Sequence, residues 1–372
     1  MIFLDLSAAF DTVDHNKLLN ILEHDIGIVG IALKWFKSFL KGRSHKVKIG
    51  EEHSELLELL YGVAQGSVLG PQLFKIYIRS LYKYIEPTNF EIEGFADDHQ
   101  LIKQFLISLQ VKALGVDIQN LLNYIGTWMN EYFLCLNASK TKILVIAPPS
   151  LQPEIIIRGV FINNVCIRFV DSAKNLGVML DSILSFETQV HKVVKSCYAT
   201  IKDISSIKKF LSESHLKQLV CSCIFSLLDY CNALYYGINS SLLTKLQRIQ
   251  NCCAKLVTNR KIFGLSLGKT FDDLHWLRVK YRVIFKIMLI VHNCLKGHAP
   301  KELMALLQYG DSSRTLHLQM TRVKTKYGDR AFSHMAPKLW NMLPLDVRKV
   351  KNTEKFKKTL KSFLMTEGDI FD

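Results

Sequence analysis

The chain has 372 residues, 49% of them hydrophobic and 22% charged, with 48 Lys+Arg against 33 Asp+Glu and a net charge of +15. That length suggests two or three domains, and the composition excludes an intrinsically disordered chain. No apolar run reaches the roughly 18–20 uncharged residues of a membrane helix, and the opening MIFLDL carries Asp5 with no basic lead. The expectation is an intracellular protein, nuclear or cytoplasmic, neither secreted nor membrane-bound.

MIFLDL reads as a buried strand around one acid. Asp14 is a candidate N-cap for a helix with Leu18, Leu19 and Leu22 on its apolar face. A second helix runs from Val29 to Leu40, with Gly42 as its stop. KVKIG and SELLELLYG read as two strands joined by a Glu-rich turn. Gly62, Gly66, Gly70 and Pro71 lead into a helix through Leu73, Ile76, Tyr77, Leu81 and Ile85. FEIEGFADDHQLIKQF alternates and breaks at its two aspartates, as a β-hairpin does. A long helix covers 108–131, NASKTKILVIAPP is a turn and a strand, and 154–181 holds short strands. Beyond residue 185 helical patterns dominate, over 187–209, 213–228, 240–258, 276–295 and 353–365.

The nine cysteines are odd in number and contain no C-x-x-C pair, which argues against a disulfide scaffold or a zinc ribbon and for a reducing compartment. Cys221, Cys223 and Cys231 lie in an apolar run and read as buried free thiols, with a metal site as the alternative. Charge is unevenly placed. Residues 1–150 carry net −2 and residues 151–372 net +17. This suits a chemical site followed by a polyanion-binding surface, although a solvated basic exterior gives the same tally.

Three acids stand out: Asp5 within an apolar strand, and Asp97 and Asp98 at a hairpin tip. Adjacent carboxylates repel, by about 4 kcal/mol at ~4 Å and an effective dielectric of ~20. A divalent cation removes that penalty, and a pair of such ions serves phosphoryl transfer. Ordinary turn aspartates are the alternative for Asp97 and Asp98.

In order along the chain, FLDLSAAFDTVDH, GVAQGSVLGPQLF, FADD, LNASKTKILV and NLGVMLD resemble the motifs of reverse transcriptases of non-LTR retrotransposons, nearest the chicken-repeat and jockey-like group. LDYCNALYYG, LQRIQNCCAKLVT, LHWLRVKYRVIFKI and RAFSHMAPKLWNMLP extend the resemblance over essentially the whole chain. It implies an α+β fold: a partial polymerase palm, with an antiparallel sheet and packed helices, over residues 1–184. A helical thumb would follow over 185–265 and a basic helical C-terminal region over 266–372. It implies RNA-directed DNA polymerase activity on deoxynucleoside triphosphates, with an RNA template and a DNA primer or target. The alternative is a catalytically inactive nucleic-acid-binding remnant or decayed copy.

Residue by residue, the resemblance makes Asp5 and Asp97 ligands of two Mg2+ ions (Mn2+ as a substitute). The Leu6 carbonyl is an added ligand and Asp98 the supporting acid. Phe10 is the gate against a ribose 2′-hydroxyl, or else a core phenylalanine. Gln65 and Gly66 lie against nucleotide and template. Lys140 is a candidate general acid for the leaving pyrophosphate, or else a solvated lysine. Leu176 and Gly177 form the primer grip. Arg278, Lys280, Arg282, Lys355, Lys357, Lys358 and Lys361 are candidate nucleic-acid contacts. Trp276, Tyr281, Tyr327 and Trp340 read as core residues or as base-stacking platforms. This chain has Ala64 where the family usually has Pro, Phe95 for Tyr, and His99 for Thr. His99 is expected to face a partner or solvent, with interaction with the acid pair as the alternative. The chain begins four residues before Asp5, where the family has its fingers and endonuclease. The expectation is therefore an N-terminally truncated product that extends primers poorly by itself.

Overall fold

The computed structural model describes residues 1–152, 159–258, 266–310 and 315–371. The chain forms two compact units, Met1–Leu184 and Ser185–Asp372. The first carries 17 basic and 19 acidic side chains and the second 31 and 14, so the positive charge belongs to the second.

The first unit opens with β1 (Ile2–Leu4), which buries Ile2 and Leu4 and leaves Phe3 half-buried between them. Asp14 caps α1 (His15–Asn20) by accepting a hydrogen bond from the Lys17 amide at 2.7 Å. α2 (Gly30–Leu40) buries only Leu40 fully, while Ile31 and Trp35 are exposed. The strands expected at 46–50 and 54–62 are shorter than the sequence suggests. β2 (Ser44–His45) pairs with β5 (Leu57–Glu58), and β3 (Lys48–Ile49) with β4 (Glu52–His53). All four are exposed, so no buried face extends them.

Pro71 stands in the first turn of α3 (Gly70–Ile85), where a missing N–H costs nothing. Its face of Leu73, Phe74, Tyr77, Leu81 and Ile85 is fully buried. Then come β6 (Glu91–Phe95), β7 (Asp98–Ile102), α4 (Ile107–Glu131), β8 (Lys142–Ile143), β9 (Val160–Ile162), β10 (Val165–Phe169), β11 (Ser172–Asn175) and β12 (Val178–Asp181). Part of the expected 154–181 stretch, residues 153–158, lies outside the described residues.

Six strands form one sheet in the order β6-β7-β1-β8-β10-β9. The expected antiparallel sheet is found with one exception, the parallel pair β8–β10. β1 lies inside the sheet, Ile2 opposite Leu101 on one side and Ile143 on the other. Ile2, Leu4, Leu101, Ile143 and Ile167 join Phe74, Tyr77, Ile118, Ile125 and Trp128 in one core. Sheet residues of the opposite parity face away from it.

The second unit is helical: α5 (Glu187–Ile207), α6 (Glu213–Leu219), α7 (Ser226–Asp229), α8 (Ser240–Thr258), α9 (Ser266–Leu274), α10 (Val279–Leu295), α11 (Lys301–Ala305), α12 (Lys326–Asp329), α13 (Phe332–Met342), α14 (Leu345–Arg348) and α15 (Thr353–Thr366). The single helix expected over 213–228 is α6 and α7 joined by a wider π-helical stretch, Val220–Phe225. α10 buries Val279, Tyr281, Ile284, Ile287, Met288 and Val291, on more than one face, as a central helix must. Its first amide, on Val279, is met by Gln247 Oε1 at 2.9 Å. α13 runs through Pro337, which cannot bond the Ser333 carbonyl; the Thr321 hydroxyl donates to that carbonyl at 3.1 Å instead.

All nine cysteines are free. The expected burial of Cys221, Cys223 and Cys231 is not found. All three are exposed; Cys221 and Cys223 are so because Val220, Ile224 and Phe225 turn inward from the π-helical stretch, while Cys231 lies beyond it, before the turn at Asn232–Tyr235. Among the described residues no helix is long and apolar enough to cross a membrane.

Candidate active site

The acids are placed by strand register. Leu4 pairs with His99, so the next pair along is Asp5 opposite Asp98. Directly opposed residues share a face, which puts both carboxylates on the side away from the core. Phe95 pairs with Asp98, leaving Ala96 and Asp97 as the two-residue tip of the β6–β7 hairpin. Ala96 has φ +57°, the left-handed backbone such a tight tip demands.

Asp5 lies just past the end of β1, and its side chain is 36% exposed. Asp5 is therefore partly wet rather than fully buried. Lys140 Nζ is 3.8 Å from Asp5 Oδ2. Asp98 is held above the ordinary carboxylate range, by burial first and then by the charges of Asp97 and Asp5. The Asn137 amide donates to the Asp5 carbonyl at 2.8 Å, and the Ser7 amide to the Cys135 carbonyl at 2.9 Å. Leu6 lies between these bonds, so its own carbonyl points the other way, toward the hairpin side.

The acid face opens into a cavity of about 550 Å3 lined by Asp5, Glu93, Asp98, Lys140, Lys142, Arg168, Lys174 and Leu176. Leu176 and Gly177 form the tip of the β11–β12 hairpin with φ +43° and +89°. Asn175 Nδ2 ties that hairpin to Gln100 Oε1 at 2.8 Å. Lys142, Arg168, Lys174, Gln100 and Asn175 were not singled out from sequence. Lys142 had a signal, since it stands two residues after Lys140 and shares its parity. Arg168 reaches the site only through the parallel pairing of β10 with β8, which puts it opposite Lys142.

Phe10, Gln65 and Gly66 lie outside that cavity. The Val63 amide donates to the Phe10 carbonyl and the Gly62 amide to the Val13 carbonyl, both at 2.8 Å. A Cβ on Gly62 would meet the Asp11 backbone at 3.0 Å, so only glycine lets these loops approach. Phe10 packs on Phe74 with ring centroids 4.7 Å apart. Gln65 Nε2 donates to Asp11 Oδ1 at 3.0 Å, and Gly66 turns at φ +80°.

His99 corrects an expectation. It does not face solvent but is buried beneath the hairpin, edge-on to Tyr82 at 6.0 Å. Its Nδ1 is 3.1 Å from the Asp97 carbonyl, to which it donates. Burial chiefly lowers its pKa, so a neutral imidazole props the tip from below.

A family model described as reverse transcriptase (RNA-dependent DNA polymerase) matches residues 1–180. Residues 1–180 form a domain of that family. Its relatives among mobile elements point to the jockey-like, non-LTR group of reverse transcriptases. A probable RNA-directed DNA polymerase from transposon BS of Drosophila melanogaster is 23% identical, over 69% of this chain and 29% of that protein. The RNA-directed DNA polymerase from mobile element jockey of the same species is 27% identical, over 51% and 20%. The X-element protein of that species is 26% identical, over 74% and 31%. The chain thus spans less than a third of the length of these relatives.

Among the described residues no three His, Cys, Asp or Glu side chains form a closed metal cage. Mg2+ does not need one, since it binds through one or two carboxylates, water and substrate phosphates. Hard carboxylate oxygens that repel one another beside an open basic cavity fit such an ion.

In the second unit the candidate nucleic-acid contacts differ in availability. Arg278, Lys355 and Lys358 are exposed. Lys280 Nζ donates to the Phe371 carbonyl at 2.7 Å, Lys357 pairs with Glu354 at 2.6 Å, and Arg282 pairs with Asp229. Trp276, Tyr281 and Trp340 are buried, which matches their reading as core residues, and Tyr327 is half-buried.

Proposed function

We propose that residues 1–184 are the catalytic palm of an RNA-directed DNA polymerase working inside the cell, in the nucleus or cytoplasm. In this proposal residues 185–265, as thumb, and 266–372, as a basic C-terminal region, hold RNA template and DNA primer or target. The supporting observation is that Asp5 and Asp98 line the same basic cavity, beside the register that brings β1 against β7. Asp5, Asp97 and Asp98, with the Leu6 carbonyl, would hold two Mg2+ ions, whose chemistry when bound is charge neutralisation and Lewis acidity at the phosphoryl oxygens. Lys142, Arg168 and Lys174 offset the charge of an incoming triphosphate. Lys140, already beside Asp5, is placed to give a proton to the leaving pyrophosphate. Phe10 screens the sugar 2′ position, Gln65 and Gly66 support the template base, and Leu176 and Gly177 steady the primer end.

The test measures Mg2+-dependent deoxynucleoside triphosphate binding and primer extension on RNA, by the chain and by Asp5→Asn and Asp98→Asn. At least about a tenfold loss of both in each variant is expected. Binding and synthesis indifferent to both substitutions would overturn the proposal. The charge of Ser185–Asp372, net +17, favours a second reading, nucleic-acid binding without synthesis. That is the outcome if RNA and DNA are bound equally by the chain and by Asp5→Asn while neither extends a primer.

A further inference from the structure

The second unit contains a cavity of about 640 Å3 between α6, α7, α10 and α15, well away in sequence from the motifs that carry the chemistry. Its walls are cationic. Lys217 comes from α6, Arg282 and Lys286 from α10, and Lys361 from α15; the lone acid on the wall, Asp229, is already taken up by Arg282. Arg282 is fixed in place, donating through Nε to Asp229 Oδ1 at 2.8 Å and lying 4.4 Å over the Phe225 ring. Among the described residues Lys217, Lys286 and Lys361 make no ion pair. Burial, then the charges of Arg282 and Lys217, hold the Lys361 ammonium below its ordinary pKa. Like charges gathered this way repel unless an anion joins them.

Two further features narrow the ligand. Phe225 and Trp276, edge-on at 4.6 Å, give the cavity an aromatic wall. Asn232 is only 3% exposed, lines the same cavity, and has a buried Oδ1 with no hydrogen-bond partner, although its Nδ2 donates to Asp229. An orphaned buried acceptor is unfavourable until a donor meets it. A ligand that fits would carry negative charge, a hydroxyl or amino donor, and an apolar part against the narrow exposed edges of Phe225 and Trp276.

We propose that this cavity binds a nucleoside monophosphate unit, its phosphate between Lys217, Lys286, Lys361 and Arg282, its base on the Phe225–Trp276 wall, and a hydroxyl or amine on Asn232. The inference rests on the reading of Ser185–Asp372 as the nucleic-acid-holding unit. The unit is either a free nucleotide or the 5′-phosphorylated end of a strand, two sources of the same chemistry. Such a site would seat a strand end, whereas exposed Arg278, Lys355 and Lys358 meet phosphates anywhere along a strand.

The experiment uses the full chain and four probes: AMP, a short 5′-phosphorylated oligonucleotide, the same oligonucleotide with a 5′-hydroxyl, and inorganic phosphate. Preference for the 5′-phosphorylated strand over both the hydroxyl form and AMP identifies a strand end, and AMP binding at least as tightly identifies a free nucleotide. In either case Lys217→Gln with Lys361→Gln should weaken binding at least about tenfold, and Asn232→Leu should weaken AMP more than inorganic phosphate. Site-resolved alkylation provides a check that needs no variant, since exposed Cys221 lines the cavity and the bound ligand should slow its modification but not that of Cys135. Lys355→Gln with Lys358→Gln should weaken long-duplex binding and leave AMP binding unchanged. No preference for any 5′-phosphate together with unprotected Cys221 would overturn the inference while long-duplex binding persists. Loss of duplex binding itself would instead overturn the reading of the unit. Binding undiminished in the folded Lys217/Lys361 variant would place the ligand elsewhere and also overturn the inference.

Discussion

Replacing Gly94 by alanine tests how the active-site hairpin is held. Gly94 pairs with His99 across β6 and β7, so its missing side chain would point at the core. A Cβ built there lies 2.1 Å from the Tyr82 hydroxyl oxygen and 2.6 Å from His99 Cδ2. Neither neighbour yields freely: Tyr82 is carried on α3, and buried His99 holds the Asp97 carbonyl. Overpacking of this kind costs about 1–3 kcal/mol. Much of the clash lies with one oxygen, so Tyr82→Phe should recover about 1 kcal/mol of the loss, a coupling of the size seen between touching residues. Because the chain has two units, a global unfolding curve is not two-state. The assay is hydrogen exchange of the β6–β7 amides by mass spectrometry. A loss of about 2 kcal/mol speeds exchange roughly 30-fold, and the double variant should return to within about fivefold of the parent. Exchange in Gly94→Ala within twofold of the parent, or no recovery with Tyr82→Phe, would refute this account of the hairpin's support.

Asn352 caps α15 by accepting from the Lys355 amide at 2.9 Å, so Asn352→Ala should cost about 1 kcal/mol and lower the second unit's Tm by about 2–4 °C in thermal denaturation. His292 is held below the ordinary histidine range chiefly by burial, stacked on Phe356 with Nε2 donating to the Val350 carbonyl. The unfolded chain therefore takes up that proton first as pH falls. The stability due to His292 is full above about 6.5 and is lost as pH drops through the folded value; His292→Gln should flatten that loss in melts between pH 7.5 and 5, and an equally steep loss in the variant would count against it. Lys355→Gln and Lys358→Gln should each reduce the log–log salt slope of duplex binding by about 0.9, with Asp5→Asn leaving it unchanged in the same titration.

Long periodic segments were the most legible. The apolar faces of α3, α8 and α15 can be traced in the residue pattern, and so can the hairpin that breaks at Asp97 and Asp98. What escaped depends on distant partners. Nothing local to Asp5 shows that its strand ends at Leu4 and leaves the carboxylate partly wet. His99 looks like a solvent-facing strand residue until the parity of β7 against β1 turns it inward beside Leu4. α13 is hidden by Pro337, which reads as a helix breaker because the Thr321 hydroxyl that satisfies the freed carbonyl lies 12 residues upstream of Ser333. Cys221 and Cys223 sit in an apolar run, yet a π-helical stretch rotates the face that an α-helix would bury.

The place of β1 inside the sheet has a consequence for how the protein is made. Residues Ile2–Leu4 need His99–Leu101 on one side and Lys142–Ile143 on the other. At about 5–20 residues per second, a ribosome needs roughly 7–28 s to supply the second of these partners. Through that interval the nascent strand presents a bare apolar edge, and no local contact can shelter it. Asp5 meets Asp98 only once β7 has docked on β1, so the acids of the site come together no earlier than the β6–β7 hairpin is made, and the sheet around them closes later still, when β8 takes the other edge of β1.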